Sequence, residues 1–376
     1  MTGAMNKPRF HGERVRLEEV CIKGKSSLRQ KDVMLEGPYP VYGASGIVGY
    51  LPSYQNGAPY VAVVKDGAGV GRACRCKGES SVLGTMQALI PSNDVDCSFL
   101  FHLVRSLRLG SGFSGSTIPH IYFKDYGKRI VHLPDLNGQR TIAAILDGVE
   151  SIVAIRERYL AKLDDLRKSR FIEMFGDPVG GNAWPMRQLN ELYRVGSSKR
   201  IYAKDLVKGG VPFYRLADVG CLADGTNPSV DSYITEERYA GLKAAGYVPG
   251  ADDILVTSRG TLGKCYIVSG EDKFYFQDGM ITWLARTGMS PRSRYLVALF
   301  SNNSFAKNLS DSCSGTTVRY LSISDLAKMR IPVPPMDLQD KYLAFVRQVD
   351  KLESAARASI DRLQTLYDSL AQEYFG

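Results

Sequence analysis

Asp66-Gly67-Ala68-Gly69-Val70-Gly71 follows an apolar run at 60–64. Glycines at that spacing let backbone amides approach a dinucleotide or S-adenosylmethionine. A cofactor loop must then open an apolar helix, whereas Arg72-Ala73-Cys74-Arg75-Cys76 alternates polar and small residues like a returning strand. A hairpin turn accounts for it better. Gly263-Lys264-Cys265 touches a phosphate-loop pattern but lacks the leading glycine and the Ser or Thr that would meet magnesium. Asp252-Asp253 could hold a nuclease metal, yet it sits at a Gly-Ala turn before the run 254–257, where turn capping is expected. A base-methylating centre needs Asn or Asp with two prolines and an aromatic to grip a flipped base. Asn227-Pro228-Ser229 has one proline, and Val333-Pro334-Pro335-Met336 lacks both the acid or amide and the aromatic. No catalytic centre is expected in this chain.

What remains is an inventory suited to reading a nucleic acid: Gly/Ser/Thr loops that carry Arg, Lys and Tyr on a strand scaffold. Backbone amides, hydroxyls and cations hold phosphates, while Arg, Lys, Asn and Gln read base edges. The candidates in the first half are Tyr42, Ser45, Lys65, Arg72, Arg75, Lys77 and Ser116. In the second they are Lys199, Arg200, Lys204, Tyr214, Arg215, Ser258, Arg259, Lys264, Thr316, Thr317 and Arg319. A solvated basic surface is the competing account for any one of them. The balance of 48 Lys and Arg against 39 Asp and Glu, net +9, favours a polyanionic partner. Its cations recur along the chain, so a basic face is implied rather than a tail.

Seven cysteines without a CxxC pair argue against a disulfide framework or zinc knuckle. The four histidines, at 11, 102, 120 and 132, show no metal-ligand spacing, so no metal site is expected. No apolar run approaches the ~20 residues of a membrane span, and no signal-peptide core is visible, so a soluble, cytoplasmic protein is expected.

The elements that position these residues follow from an internal repeat. Gly115 and Thr117 match Gly315 and Thr317, as Asp125 matches Asp325, Lys128 Lys328, Pro134 Pro334, Gln139 Gln339 and Phe175-Gly176 Phe375-Gly376, all 200 apart. Leu17 with Glu19 matches Leu189 with Glu191, and Pro40-Val41-Tyr42 matches Pro212-Phe213-Tyr214, 172 apart. The ends of each half are therefore fixed and the middle is variable, longer in the second copy. Each half closes on a long helix, with Asn137 and Asp337 expected as N-caps and Gly176 as the C′ stop of the first.

Apolar positions alternate three and four apart, which predicts a heptad seam. In the first helix it runs through Ile142, Ile145, Val149, Ile152, Leu163 and Leu166, and in the second through Tyr342, Phe345, Val349, Leu352, Leu363 and Leu366. The simplest burial for such stripes is against each other, with helix packing on the helix's own domain as the alternative. The expected class is α/β (α+β): two domains at 1–136 and 177–336, separated by two long antiparallel coiled-coil helices at 137–176 and 337–376.

With the repeat in view, the chain resembles type I restriction-modification specificity subunits over nearly its whole length. Tyr39-Pro40-Val41-Tyr42-Gly43-Ala44-Ser45-Gly46-Ile47-Val48-Gly49-Tyr50 is similar to the opening of one target-recognition domain type, and Val211-Pro212-Phe213-Tyr214-Arg215-Leu216-Ala217-Asp218-Val219 to that of another. Ile331-Pro332-Val333-Pro334-Pro335 with Gln339 is similar to the signature before each spacer helix. The first copy keeps it as Val131-His132-Leu133-Pro134 with Gln139, departing at His132 and Asp135 where proline is usual.

The resemblance implies that each domain grips one half of a split double-stranded DNA target. It also implies a methyltransferase (modification) subunit docked on the helices and a restriction (motor-nuclease) subunit completing the complex. S-adenosylmethionine, ATP and Mg are then expected on those partners and no cofactor here. Competing readings are a specificity subunit for another DNA-modifying or phage-defence complex, more distantly a lone nuclease or methyltransferase, and a two-lobed protein-binding scaffold.

Overall fold

The computed structural model describes residues 12–112, 119–180, 184–260, 262–311 and 320–376. The chain divides into two compact units, one of residues 1–159 with 356–376, the other of residues 160–355.

The first unit runs β1 (Glu13–Arg16), α1 (Leu17–Val20), β2 (Cys21–Lys23), β3 (Tyr39–Gly43), β4 (Gly46–Leu51), β5 (Tyr60–Val64), β6 (Ala73–Cys76), β7 (Ser81–Val82), β8 (Met86–Pro91), α2 (Cys97–Ser106), α3 (Phe123–Tyr126), β9 (Ile130–Leu133) and the start of α4 (Leu136–Phe175). The second runs β10 (Met186–Gln188), α5 (Leu189–Leu192), β11 (Tyr193–Gly196), β12 (Val211–Tyr214), α6 (Leu216–Ala223), β13 (Tyr233–Ile234), α7 (Glu236–Ala244), β14 (Ile254–Thr257), β15 (Cys265–Ile267), β16 (Tyr275–Phe276), β17 (Ile281–Arg286), α8 (Ser293–Phe300), α9 (Asn303–Asp311), α10 (Ile323–Lys328), β18 (Arg330–Pro332) and most of α11 (Met336–Phe375).

The sheets repeat strand for strand. Order β2-β8-β5-β6 in the first unit is matched by β11-β17-β14-β15 in the second, β4-β3-β7 by β13-β12-β16, and the pair β1-β9 by β10-β18. Even the parallel pairing of β3 with β7 recurs between β12 and β16. Most of the extra length of the second copy is localised: the offset grows from 172 at Tyr42 and Tyr214 to 193 at Val64 and Thr257, across the segment that holds α6 and α7.

β5 is buried on both faces, which explains an unbroken apolar run where a half-exposed strand would alternate. Val61 and Val63 pack with Phe99, Leu100 and Leu103 of α2, while Tyr60, Ala62 and Val64 pack with Val82 and Met86 on the other side. β14 repeats the arrangement, with Ile254 and Val256 against α8 and Leu255 against Val219 of the inserted α6.

The contacts of Gln139 and Gln339 explain why both copies of the repeat carry a glutamine there. Both are buried. Gln139 Oε1 accepts the Asp96 N–H at 2.9 Å at the start of α2, and its Nε2 donates to the Pro134 carbonyl at 2.9 Å. Gln339 makes the same bonds to Arg292 at 2.8 Å and Pro334 at 2.8 Å. An Ala at either position would leave buried groups unpaired, at a cost of ~1–3 kcal/mol for each.

The helix starts correct the expected caps. α4 begins one residue before Asn137, and the Asp135 carboxylate accepts the Gly138 N–H at 2.8 Å. Asp337 lies inside the first turn of α11, whose initial amides meet the Pro335 carbonyl. Gly176 does end α4, at φ +77° with its N–H on the Ile172 carbonyl.

In the first unit the start of α4 lies with the end of α11, since Ile142, Leu146 and Val149 share a core with Tyr367 and Ala371. In the second the end of α4 lies with the start of α11, since Phe171 and Phe175 share a core with Tyr342 and Val346. The helices are thus antiparallel within each unit, but the heptad seam needs correction. Ile142, Val149, Leu163, Tyr342 and Val349 are buried and Phe345 and Leu363 half-buried, whereas Ile145, Ile152, Leu166, Leu352 and Leu366 are exposed. The covered stripe runs through Ala143 and Leu146 instead, because the helix packs on its own domain as well as on the other helix and buries a broader face.

Candidate nucleic-acid interface

The glycine loop of the first unit is a hairpin. β5 and β6 pair antiparallel, and across their turn Gly71 N donates to Val64 O at 2.7 Å and Val64 N to Arg72 O at 2.9 Å. Gly71 has φ +83°, and a Cβ there would fall 2.0 Å from the Gly110 nitrogen, so neither turn nor packing admits another residue. In the second unit Gly263 N meets Thr257 O, and Thr257 N meets Lys264 O, both at 2.9 Å.

Both hairpin entries are clasped by the same distant segment. Ile121 N donates to Lys65 O at 3.0 Å, and Leu321 N to Ser258 O at 3.0 Å. Asp66 thereby bridges His120, and Arg259 bridges Tyr320. Each is followed by a glycine of positive φ, Gly67 and Gly260. Sequence reading missed His120 and Tyr320, although the 200-residue offset relates them.

Several predicted contact residues lie exposed on these scaffolds: Ser45 at the β3–β4 turn, Arg72 at the hairpin end, Lys77, Lys204 and Arg259. Lys65 is half-buried beside the clasp. Tyr42 is half-buried, with its hydroxyl near the Lys77 N–H. In the second unit Arg200 pairs with Asp278 at 2.8 Å, and the Lys199 ammonium lies 5.5 Å over the Tyr247 ring. Tyr214 packs on Phe274, and burial raises its phenol above the ordinary range. Arg215 starts α6 and donates to Ser232 Oγ at 2.8 Å, while Lys264 pairs with Asp224 at the far end of that helix. Ser116, Thr316, Thr317 and Arg319 lie outside the described residues.

Two assignments change. Ser258 is buried, with its hydroxyl 2.7 Å from Thr282 Oγ1, so only its backbone serves the clasp. Arg75 points toward the spacer helix, paired with Asp147 and Glu150 and stacked 4.1 Å over Phe101. Its partners lie more than 70 residues downstream, beyond the reach of local pattern.

That pairing belongs to a cluster that seats the first domain on its helices. Buried His102 places Nε2 2.9 Å from Asp147 Oδ1 and Nδ1 2.7 Å from the Tyr367 hydroxyl of α11. Arg105 pairs with Glu150 and stacks over Tyr367. His102, Asp147 and Glu150 come close enough to hold a metal ion, but the two guanidiniums already neutralise both carboxylates. Burial pushes the His102 imidazole down in pKa, against the Asp147 hydrogen bond that raises it. Partial burial works against ionisation of Asp147, yet hydrogen bonds from Ser98 and His102 and the Arg75 charge hold it below the ordinary carboxylate range.

Comparison with known proteins agrees with this twofold construction. Residues 12–164 and 182–362 match the family described as the type I restriction modification DNA specificity domain. A type I restriction enzyme specificity subunit of Haemophilus influenzae is 23% identical over 361 residues, covering 93% of this chain and 88% of the relative. The MjaVIII specificity subunit of Methanocaldococcus jannaschii is 22% identical, covering 91% and 86%. Among solved structures, the type I restriction-modification S subunit from M. genitalium aligns with TM-score 0.55 at 15% identity, over 100% of this chain and 98% of that one. A chain from a structure described as showing complex assembly and conformational transition of the type I system aligns at TM-score 0.59 and 17% identity, over 97% of both chains. Two matched domains on a duplicated three-sheet scaffold make this chain a member of the type I restriction-modification DNA specificity family, a specificity subunit of such a system.

Proposed function

We propose that the two recognition domains, 1–136 and 177–336, each bind one half of a bipartite double-stranded DNA target, and that the chain performs no chemistry itself. The observation that carries this reading is the pair of clasped hairpins: one backbone device built twice, with different side chains at its tip. A duplicated scaffold with divergent tips suits two half-sites of different sequence. Exposed lysines such as Lys204 supply sequence-independent phosphate contacts, while Arg259 has the donor fork for a guanine edge.

The helices 137–176 and 337–376 then serve as docking surfaces for a methyltransferase subunit, with a restriction subunit completing the complex. The apolar residues left exposed on them support this: Ile145, Ile152 and Leu366 in the first unit, Leu166 and Leu352 in the second. Methyl transfer and cleavage, with S-adenosylmethionine, ATP and Mg, belong to those partners. Among the described residues no helix is long and apolar enough to cross a membrane. A DNA target is the reason to expect the protein in the cytoplasm.

The test is methylome sequencing of cells that express the chain with its modification subunit, before and after residues 14–133 are exchanged for another member's first domain. One half of the methylated motif should change. A swap that altered both halves would end the modular reading, and a chain that methylates DNA alone would end the division of labour.

A further inference from the structure

The clasp puts chemically opposite side chains at one structural position. In the second unit that position holds Arg259, exposed, facing Tyr320. In the first it holds Asp66, whose Oδ1 lies 2.7 Å from His120 Nδ1. The His120 and Asp66 side chains are 34% and 28% exposed, so each is supported from behind and open in front. The Tyr122 ring lies nearly parallel to His120 at 6.4 Å, and the Lys124 ammonium sits 5.4 Å over Tyr122. Lys23, Lys65 and Lys124 line the same cleft of about 640 Å³.

The Asp66–His120 contact is not needed to hold the loop. Ile121 N on Lys65 O and Gly67 N on Pro119 O, both 3.0 Å, already tie it down. The second unit keeps the Leu321 N to Ser258 O bond with an Arg and a Tyr in place of the Asp and His. A carboxylate beside three lysines is also a poor phosphate holder, since it repels the backbone that the lysines attract. The groups on DNA that a carboxylate binds well are exocyclic amines, cytosine N4 above all and adenine N6.

We propose that the residue preceding the clasp glycine is a base-reading position in both domains, with Asp66, oriented by His120, accepting from a cytosine or adenine amine in one half-site. Arg259 at the matching position of the second domain donates to guanine O6 and N7 in the other. The inference rests on the DNA-reading assignment above and adds that Asp66 and His120 set specificity, with His120 as the positioning residue.

The test selects duplexes from a randomised pool with the full-length chain, wild type and variants, and sequences what is bound. Asp66→Asn should lower discrimination at one base pair of one half-site roughly 5- to 150-fold, the range for losing a good base contact, and leave every other position intact. Asp66→Arg should turn that base pair toward guanine, His120→Asn should blur it less, and Arg259→Ala should relax one position of the other half-site. Circular dichroism and a thermal melt establish that each variant is folded, and Asp66→Ser stands in if Asp66→Asn is not. An unchanged preference in folded Asp66 variants overturns the inference while leaving DNA reading intact, as does uniform weakening at all positions. A wild-type chain that selects no sequence overturns the DNA-reading assignment and the inference with it.

Discussion

The two units seat their domains on the helices at matching places with different chemistry. Phe375 meets Phe99 at 5.5 Å in the first unit, and Phe175 meets Tyr295 at 4.9 Å in the second. Around that shared contact the first unit builds a polar cluster of His102, Asp147, Glu150, Tyr367 and two arginines. The second builds a box of Phe171, Phe175, Tyr295 and Tyr342, with Arg167 paired to Asp350 and Glu353 at its edge. By the register of Phe99 with Tyr295, Ala298 stands where His102 would be, beside a cavity of about 200 Å³. The lesson is that duplicated seats stay distinguishable. The second domain placed on the first seat would set Ala298 against Tyr367 and strand its buried hydroxyl, a loss of ~1–3 kcal/mol.

The aromatic box should be the most sensitive point. Phe175→Ala removes a buried ring that touches Phe171, Tyr295 and Tyr342, and should cost ~3–5 kcal/mol in denaturant unfolding. Phe375→Ala, at a half-buried ring with one aromatic ring neighbour among the described residues, should cost about half as much. Equal losses from the two would dissolve the contrast between the seats.

Between pH 7.5 and 5.5 the polar seat should respond to acid where the aromatic one, in a unit whose sequence holds no histidine, does not. His102 is held neutral by burial, so its folded pKa lies below the ordinary imidazole value of about 6.5. Above that value neither state carries the proton. As pH falls through it the unfolded chain binds a proton that the folded one resists, so stability declines. Asp147 adds a second loss at lower pH, since a carboxylate with depressed pKa stabilises only while ionised. Hydrogen exchange corrected for intrinsic rates should show α2 losing protection relative to α8 between pH 7.5 and 5.5. His102→Asn should start less stable and flatten that profile. Parallel loss in both helices would remove His102 as the cause.

Much of this is legible from residues alone: offsets give the duplication, apolar runs mark the strands at 60–64 and 254–257, the alternation at 72–76 gives the hairpin, and Gly176 gives the C′ stop. The failures share one physical cause. Periodicity shows which positions are apolar but not which of them a domain covers, so Ile145 and Ile152 entered a seam whose buried members include Ala143 and Leu146. Charge shows that Arg75 is cationic but not that Asp147 waits for it, and the Asp66–His120 pair joins residues that only the closed fold makes neighbours. Spacing marks Asn137 as the cap of the first long helix, yet the carboxylate two residues earlier, Asp135, accepts the Gly138 N–H.

The smallest expected effect on the fold is the most telling about function. Ile145, Ile152 and Ile155 recur at helical spacing on α4 of the first unit, and all three are exposed, at 37%, 44% and 53%. A side chain this open contributes little to the isolated chain, so Ile152→Glu should shift stability by no more than about 0.5 kcal/mol. The same substitution places a charge in whatever apolar interface forms there, where desolvation costs several kcal/mol. The variant should keep its melting temperature and its DNA selection while losing the methyltransferase subunit in size-exclusion chromatography. Val149→Glu, one turn away and buried, should instead unfold the first unit. Should Ile152→Glu and Ile145→Glu together leave the complex intact, the exposed face of α4 has no part in docking, and the partner must hold the chain elsewhere.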